Sequence, residues 1–352
     1  MMRLRLSIFF CALPLAIAAC KIKASTTPPP ADAPAELLAV TGAKVLIGTG
    51  DIASCTSEGD EQTAALVDSM LKADSAAGVE DVVMALGDNA YPGGTARDYE
   101  RCFAPSWGDS NKRIMKRIRP TPGNHEHLTD MAAPYYAYFG DRAGSPKKGY
   151  YSYDLGDWHI IVLNSEIVVN TSFLSAEQDA QRDWLRDDLA KSQKNCTIAY
   201  MHHPRWSSGW HGDDPRMEPF WQIMYDAGVD LVLAGHDHEY ERFMPQTPSG
   251  VVDTARGIVQ FVVGTGGGEM RGFRTRPSAN SASRVEGHFG VLKMSLGSSG
   301  YQHAFIDVNG RVWDPGAGQC INGPAARDST PQAAGDTTRP TTPPPTTPPA
   351  RP

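Results

Sequence analysis

The chain has 352 residues, 41% of them hydrophobic and 21% charged, with a net charge of −7, 34 glycines, 27 prolines and 6 cysteines. These values exclude a collagen repeat, a coiled coil, a polytopic membrane protein and a fully disordered chain. The acidic balance also excludes a whole-molecule grip on nucleic acid, which needs a basic surface.

In chain order, Arg3 and Arg5 precede an apolar run from Leu6 to Ala19. The run is shorter than the roughly 20 residues of a membrane span, so residues 1–19 read as a secretory signal. Ile17-Ala18-Ala19-Cys20 resembles a bacterial lipobox, which implies a lipid on Cys20 and a cell-envelope lipoprotein. Ordinary cleavage near Ala18 or Ala19 would instead leave a secreted or periplasmic protein. Residues 20–39, rich in Ala, Thr and Pro, read as a tether, and the Thr/Pro-rich residues 323–352 as a disordered tail.

Between these ends, Lys44-Val45-Leu46-Ile47-Gly48 and Val82-Val83-Met84-Ala85-Leu86 read as buried strands, each running into Gly-Asp, with a helix from Glu61 to Ala77 between them. Tyr150–Leu155 and Trp158–Leu163 read as a hairpin turning at Gly156-Asp157. Ala176–Lys191 reads as an amphipathic helix capped by Ser175. Thr197–Met201 and Leu231–Ala234 are further buried strands, and Ile258–Val263, Gly290–Ser295 and Tyr301–Asp307 make the remainder mostly β. No repeat or composition break interrupts residues 40–322, so they form one α/β domain.

With Cys11 in the signal and Cys20 at the anchor, Cys55, Cys102, Cys196 and Cys320 remain. An even set in an exported chain suggests disulfides, in any of three pairings. Cys55 and Cys102 each lie just beyond a motif loop, which favours Cys55–Cys102 and leaves Cys196–Cys320; buried free thiols are the competing reading.

Those motif loops carry the chemistry. The strands lead to Asp51 in Gly50-Asp51, Asp88 in Gly87-Asp88-Asn89-Ala90-Tyr91, His202 in Met201-His202-His203-Pro204, and His236 and His238 in Gly235-His236-Asp237-His238; Gly123-Asn124-His125-Glu126 lies between. Ligands collect at the carboxyl ends of strands in open α/β sheets. Carboxylate, amide, phenol and imidazole without cysteine suit Fe, Mn or Zn in an oxygen/nitrogen site. The seven side chains Asp51, Asp88, Tyr91, Asn124, His202, His236 and His238 exceed the needs of one ion and match two ions about 3.5–4 Å apart.

On these motifs, residues 44–243 resemble the calcineurin-like metallophosphoesterases, and the Tyr three residues after Asp88 resembles the purple acid phosphatase branch. The resemblance implies a four-layer α/β/β/α sandwich of mixed sheets. It implies Fe(III) on Asp51, Tyr91, His238 and Asp88, and a second Fe, Zn or Mn on Asn124, His202, His236 and the bridging Asp88. His125 and His211, nine residues after His202, would bind phosphate or protonate the leaving group. The implied reaction is hydrolysis of a phosphate monoester by metal-activated hydroxide. A phosphodiesterase with the same centre and an inactive surface phosphate-binding lipoprotein are the alternatives. Gly-Asp-Ile-Ala departs from the family's first motif, which often carries a second Gly, and residues 40–322 leave no room for the extra N-terminal β domain of plant members.

Other features take structural readings. His127, His159, His288 and His303 are expected in structural or surface roles, and His203 faces away from His202 because neighbouring side chains on a strand alternate. Tyr135–Phe139 is expected to pack around the Asn124 loop, and Gly264–Gly268 to form a flexible turn near the metals.

Overall fold

The computed structural model describes residues 43–170 and 175–321. The expected signal, the Cys20 anchor, the tether and the Thr/Pro-rich tail lie outside these residues. The first apolar runs become β1 (Lys44–Thr49) and β2 (Asp81–Leu86), joined through a helix at Gly59–Ala76. β3 (Ile118–Thr121) follows, then the antiparallel hairpin of β4 (Tyr151–Leu155) and β5 (Trp158–Val162). The helix Ser175–Lys191 leads to β6 (Cys196–Tyr200), and the helix Glu218–Asp226 to β7 (Leu231–Ala234). Ser175, expected as a cap, is itself helical. The remaining strands are β8 (Tyr240–Phe243), β9 (Val259–Val263), β10 (Ser281–Val285), β11 (Gly290–Leu296), β12 (Gly300–Asp307) and β13 (Val312–Gln319).

The strands form two mixed sheets, ordered β13-β12-β11-β1-β2-β3 and β10-β8-β9-β7-β6-β5-β4. Alternation along each strand explains how they stack. Leu46, Met84 and Leu86 of the first sheet meet Trp158, Ile160, Tyr200 and Leu233 of the second in a shared core. The intervening residues Val45, Ile47, Val83 and Ala85 face outward onto Val67 and Leu71 of the Gly59–Ala76 helix. On the other side, Ile161, Ala199 and Val232 pack on Leu185, Leu189, Trp221 and Met224. The result is the expected α/β/β/α sandwich. Each of these strands is buried on both faces and so reads as a continuous apolar run.

The aromatic run expected to pack lies on a helix, Ala133–Phe139, where Tyr135 and Phe139 join Tyr99, Phe103 and Trp107 in the outer core. The disulfides are Cys55–Cys102 and Cys196–Cys320, the pairing favoured from sequence. The second joins the start of β6 in one sheet to the residue after β13 in the other, so it ties the two sheets together.

Candidate metal centre

Five strand ends converge on one place. β1, β2 and β3 are mutually parallel, as are β6 and β7, so their carboxyl ends lie on one edge of each sheet. Asp51, Asp88, His202 and His236 each stand two residues past a strand end, and Asn124 opens a helical turn just beyond β3. Asp51, Asp88 and His236 have φ of 59°, 49° and 73°, in the left-handed region that non-glycine residues seldom occupy. Such backbone costs about 1–3 kcal/mol per residue and persists where surrounding structure holds it.

The packing that holds it is unusually close. A Cβ on Gly123 would lie 2.3 Å from Asp88 Oδ1, and one on Gly235 would lie 2.6 Å from Asp51 Oδ2. The Gly264–Gly268 turn, expected near the metals, does lie beside this site. Its residues are buried, and Gly266 and Gly268 N–H donate to the carbonyls of Gly50 and Asp51 at 3.0 and 2.8 Å.

Tyr91, Asp51, Asp88 and His238 form the first half of the donor set. The Tyr91 hydroxyl lies 2.9 Å from Asp51 Oδ1, 3.2 Å from Asp88 Oδ2 and 3.2 Å from His238 Nε2. In the second half, His202 Nε2 lies 3.0 Å from Asn124 Oδ1, 3.2 Å from His236 Nδ1 and 3.4 Å from Asp88 Oδ2. Asp88 Oδ2 therefore faces both halves. The opposite nitrogens of His202 and His238 donate to the carbonyls of Leu86 and Glu269, so in each ring Nε2 is the atom turned inward toward the other donors.

This donor set fits cations. Asp51, Asp88, His202 and His238 are buried, and burial of ionisable groups is costly unless they are paired or coordinated. Burial opposes ionisation of Asp88, but His202 and His125 hold its carboxyl well below the usual range. Burial also opposes charge on His202, yet Asp88 and Asp51 push it up to about 10. His236, buried and surrounded by other imidazoles, is held well below the usual histidine value, as a neutral ligand would be.

The two remaining candidates flank this set. His125 Nδ1 donates to the Pro92 carbonyl, and its Nε2 is 3.7 Å from Asp88 Oδ2. His211 stacks on His236 with ring centroids 4.0 Å apart, and its backbone N–H and Nδ1 reach Asp237 Oδ1 at 2.9 and 2.8 Å. Arg271 approaches the far nitrogen of His211 at 3.4 Å and lies over Trp210, which is 67% exposed. His203 turns to Ser165 and Glu166, although its ring remains 4.3 Å from that of His236. His159 bonds Asp154 and Asp188 away from the site.

Asp237 and Glu126 were not singled out by sequence reasoning. Glu126, buried and pushed up to about 7 by its burial and by Asp88, accepts from the N–H groups of Asn89, Ala90 and Gly123 and so clamps two motif loops together. Both residues sit inside the motifs, and that is the only signal the sequence carries for them.

A four-layer sandwich thus gathers carboxylates, a phenol, a carboxamide and imidazoles at its parallel strand ends, and within that set Asp51, Asp88 and His202 lie close enough together to hold a metal ion. The calcineurin-like phosphoesterase profile matches residues 45–240, and the chain belongs to that family. Human acid phosphatase type 7 is 28% identical over 284 residues, covering 69% of this chain and 62% of that protein. Purple acid phosphatase 23 of Arabidopsis thaliana is 27% identical over 194 residues, covering 51% of this chain and 40% of that protein. Among solved structures, purple acid phosphatase PPD1 from yellow lupin superposes with a TM-score of 0.65 at 18% identity, over 79% of this chain and 54% of that one. The chain thus spans less than two thirds of these relatives' lengths.

Proposed function

We propose that the chain is an exported phosphoesterase of purple acid phosphatase type that hydrolyses phosphate monoesters. Asp51, Tyr91 and His238 would hold Fe(III), Asn124, His202 and His236 would hold Fe, Zn or Mn, and Asp88 would bridge them. The position of Asp88 Oδ2 between Tyr91 and His202 carries this reading, because one carboxylate then serves two neighbouring cations. When bound, the two cations lower the pKa of water toward about 7 and neutralise phosphate charge.

The chain's own residues supply the rest. Pro92 holds Nδ1 of His125, so its Nε2 is the atom free to exchange a proton with the ester. Asp237 orients His211 in the same way, and Arg271 beside it adds positive charge at the rim. Asp88→Asn and His236→Ala are expected to lose metal and turnover of p-nitrophenyl phosphate together; retained turnover in both would overturn the proposal. In iron-loaded protein, Tyr91→Phe should bleach the phenolate-to-iron absorption in the visible. Faster hydrolysis of bis-p-nitrophenyl phosphate than of the monoester would move the reading to a diesterase.

Export is supported by the two disulfides, which suit an oxidising compartment. No helix among the described residues is long and apolar enough to cross a membrane. The domain then spans residues 40–322, following a cleaved segment 1–19 and a tether 20–39 and preceding the tail 323–352. Lipidation of Cys20 predicts an acylated N-terminal Cys by mass spectrometry and release from the envelope in Cys20→Ser.

A further inference from the structure

The rim of the donor set carries one large side chain that the proposed chemistry does not use. Of the seven tryptophans, Trp107, Trp158, Trp206 and Trp221 are buried and Trp184 and Trp313 half-buried; Trp210 alone is exposed. A lone exposed apolar residue is ordinary on a protein surface. Trp210 is set apart by what holds it and by where it stands.

The loop around it is tied down on both sides. The N–H groups of Ser207, Ser208, Gly209 and His211 donate to Asp213, Glu241, the Ser207 hydroxyl and Asp237 at 2.9, 2.7, 2.9 and 2.9 Å. Arg274 adds its N–H to the Ser208 carbonyl and its guanidinium to that of Ser207, at 2.9 and 2.8 Å. A hydrogen-bonded loop therefore holds this indole in water. It does so beside the donor set. The His211 ring stacks on His236 at 4.0 Å and 24°, and the Trp210 ring follows at 6.0 Å and 37°. Arg271 donates its N–H to the His238 carbonyl at 3.4 Å and places its guanidinium 4.9 Å from the centre of the Trp210 ring. One side of the indole thus meets a cation, and the rest is open two ring spacings from a metal donor. A phosphate seated at the donors sends its leaving group outward past His211, where the open indole offers a π face. Such platforms stack planar rings, and an aliphatic group has no face to match. Because His211 stands between, the ring must be separated from the phosphorus by a spacer.

We propose that Trp210 sets substrate choice at the metal centre by stacking a planar ring of the leaving group. The preferred substrates are phosphate esters that carry an aromatic ring beyond a sugar-sized spacer, as nucleoside 5′-monophosphates do. The proposal rests on the phosphoesterase reading for its use in turnover, but not for binding. The test compares wild type, Trp210→Ala and Trp210→Phe on adenosine 5′-monophosphate, ribose 5-phosphate and phenyl phosphate; the first two share their leaving oxygen. Wild type should favour the nucleotide over the sugar phosphate by about 10-fold in kcat/KM. Trp210→Ala should lose that preference through KM, Trp210→Phe should keep most of it, and ribose 5-phosphate and phenyl phosphate should be unaffected. Equal treatment of nucleotide and sugar phosphate by wild type would overturn the proposal. So would equal losses on all three esters, which would mean that the substitution disturbs His211 instead, or a loss confined to phenyl phosphate. Calorimetry of the metal-loaded protein with the methylene phosphonate analogue of adenosine 5′-monophosphate, set against that of ribose 5-phosphate, reads the same stack without turnover. A protein inactive on every ester that still prefers the adenosine analogue through Trp210 would keep the platform and sink the phosphatase reading.

Discussion

Asp88 and His211 show how single residues acquire their roles here. Asp88 sits in a left-handed backbone conformation with both carboxylate oxygens engaged, Oδ1 by the His125 N–H at 2.9 Å and Oδ2 between the two halves of the donor set. His211 lies on an aromatic ladder from His236 to Trp210, and Asp237 holds it in place. Burial opposes ionisation of Asp237, but bonds from His211 and Ser207 hold its carboxyl below the usual range, so it stays an acceptor. If His211 transfers a proton, His211→Asn should lower kcat by about 10²–10⁴-fold. Asp237→Asn should keep metal content and lower kcat with p-nitrophenyl phosphate, because it weakens the acceptor that orients the His211 ring. An unchanged kcat in Asp237→Asn would reduce that aspartate to packing.

At the scale of elements, loops held by backbone contacts set the site more than helices do. Gly123 lies where any side chain would strike Asp88, whose backbone N would be 2.5 Å from the new Cβ. Gly123→Ala is therefore expected to displace Asp88, with metal analysis showing a larger loss than the fall in melting temperature implies. A different element pair reports pH. His159 on β5 bonds Asp154 on β4 and Asp188 on the Ser175–Lys191 helix at 2.9 and 2.8 Å. Burial disfavours its charged form, but the bonds to Asp188 and Asp154 win and raise its pKa above the ordinary value. The folded state thus holds the proton more tightly than the unfolded chain. The resulting stability is fully present below about pH 6.5 and is lost as pH rises through the folded value. Thermal melts across pH should show His159→Gln furthest below wild type on the acid side, with the gap closing toward the alkaline side; a constant gap would refute the linkage.

For the whole molecule, the two sheets share one core, and the Cys196–Cys320 bridge spans them with a sequence separation of 124. Closing so long a loop constrains the unfolded chain, so Cys196→Ser/Cys320→Ser should lose about 2–5 kcal/mol in denaturant unfolding, with p-nitrophenyl phosphate turnover retained at low temperature. The net charge of −7 says little about substrate choice. Two bound cations and Arg271 at the rim would dominate the field where a phosphate group sits.

The apolar runs of β1, β2, β5, β6 and β7 were legible because strands buried on both faces must be apolar throughout, and the ligand motifs were legible because each follows such a run. The strands missed have a physical reason as well. β3, β10 and β13 lie at sheet edges, where Pro120, the polar Ser281–Val285 stretch and Pro315 are tolerated because one side of the strand needs no partner. β8 carries Glu241 and Arg242, and only contacts distant in sequence, with Ser208 and with Asp314, make those charges tolerable in a buried strand. Residue types and order by themselves determined which side chains could hold metal. The tertiary structure alone decided that Asp88 faces both halves and that Asp237 orients His211. Those relations depend on distances between loops that no local pattern encodes.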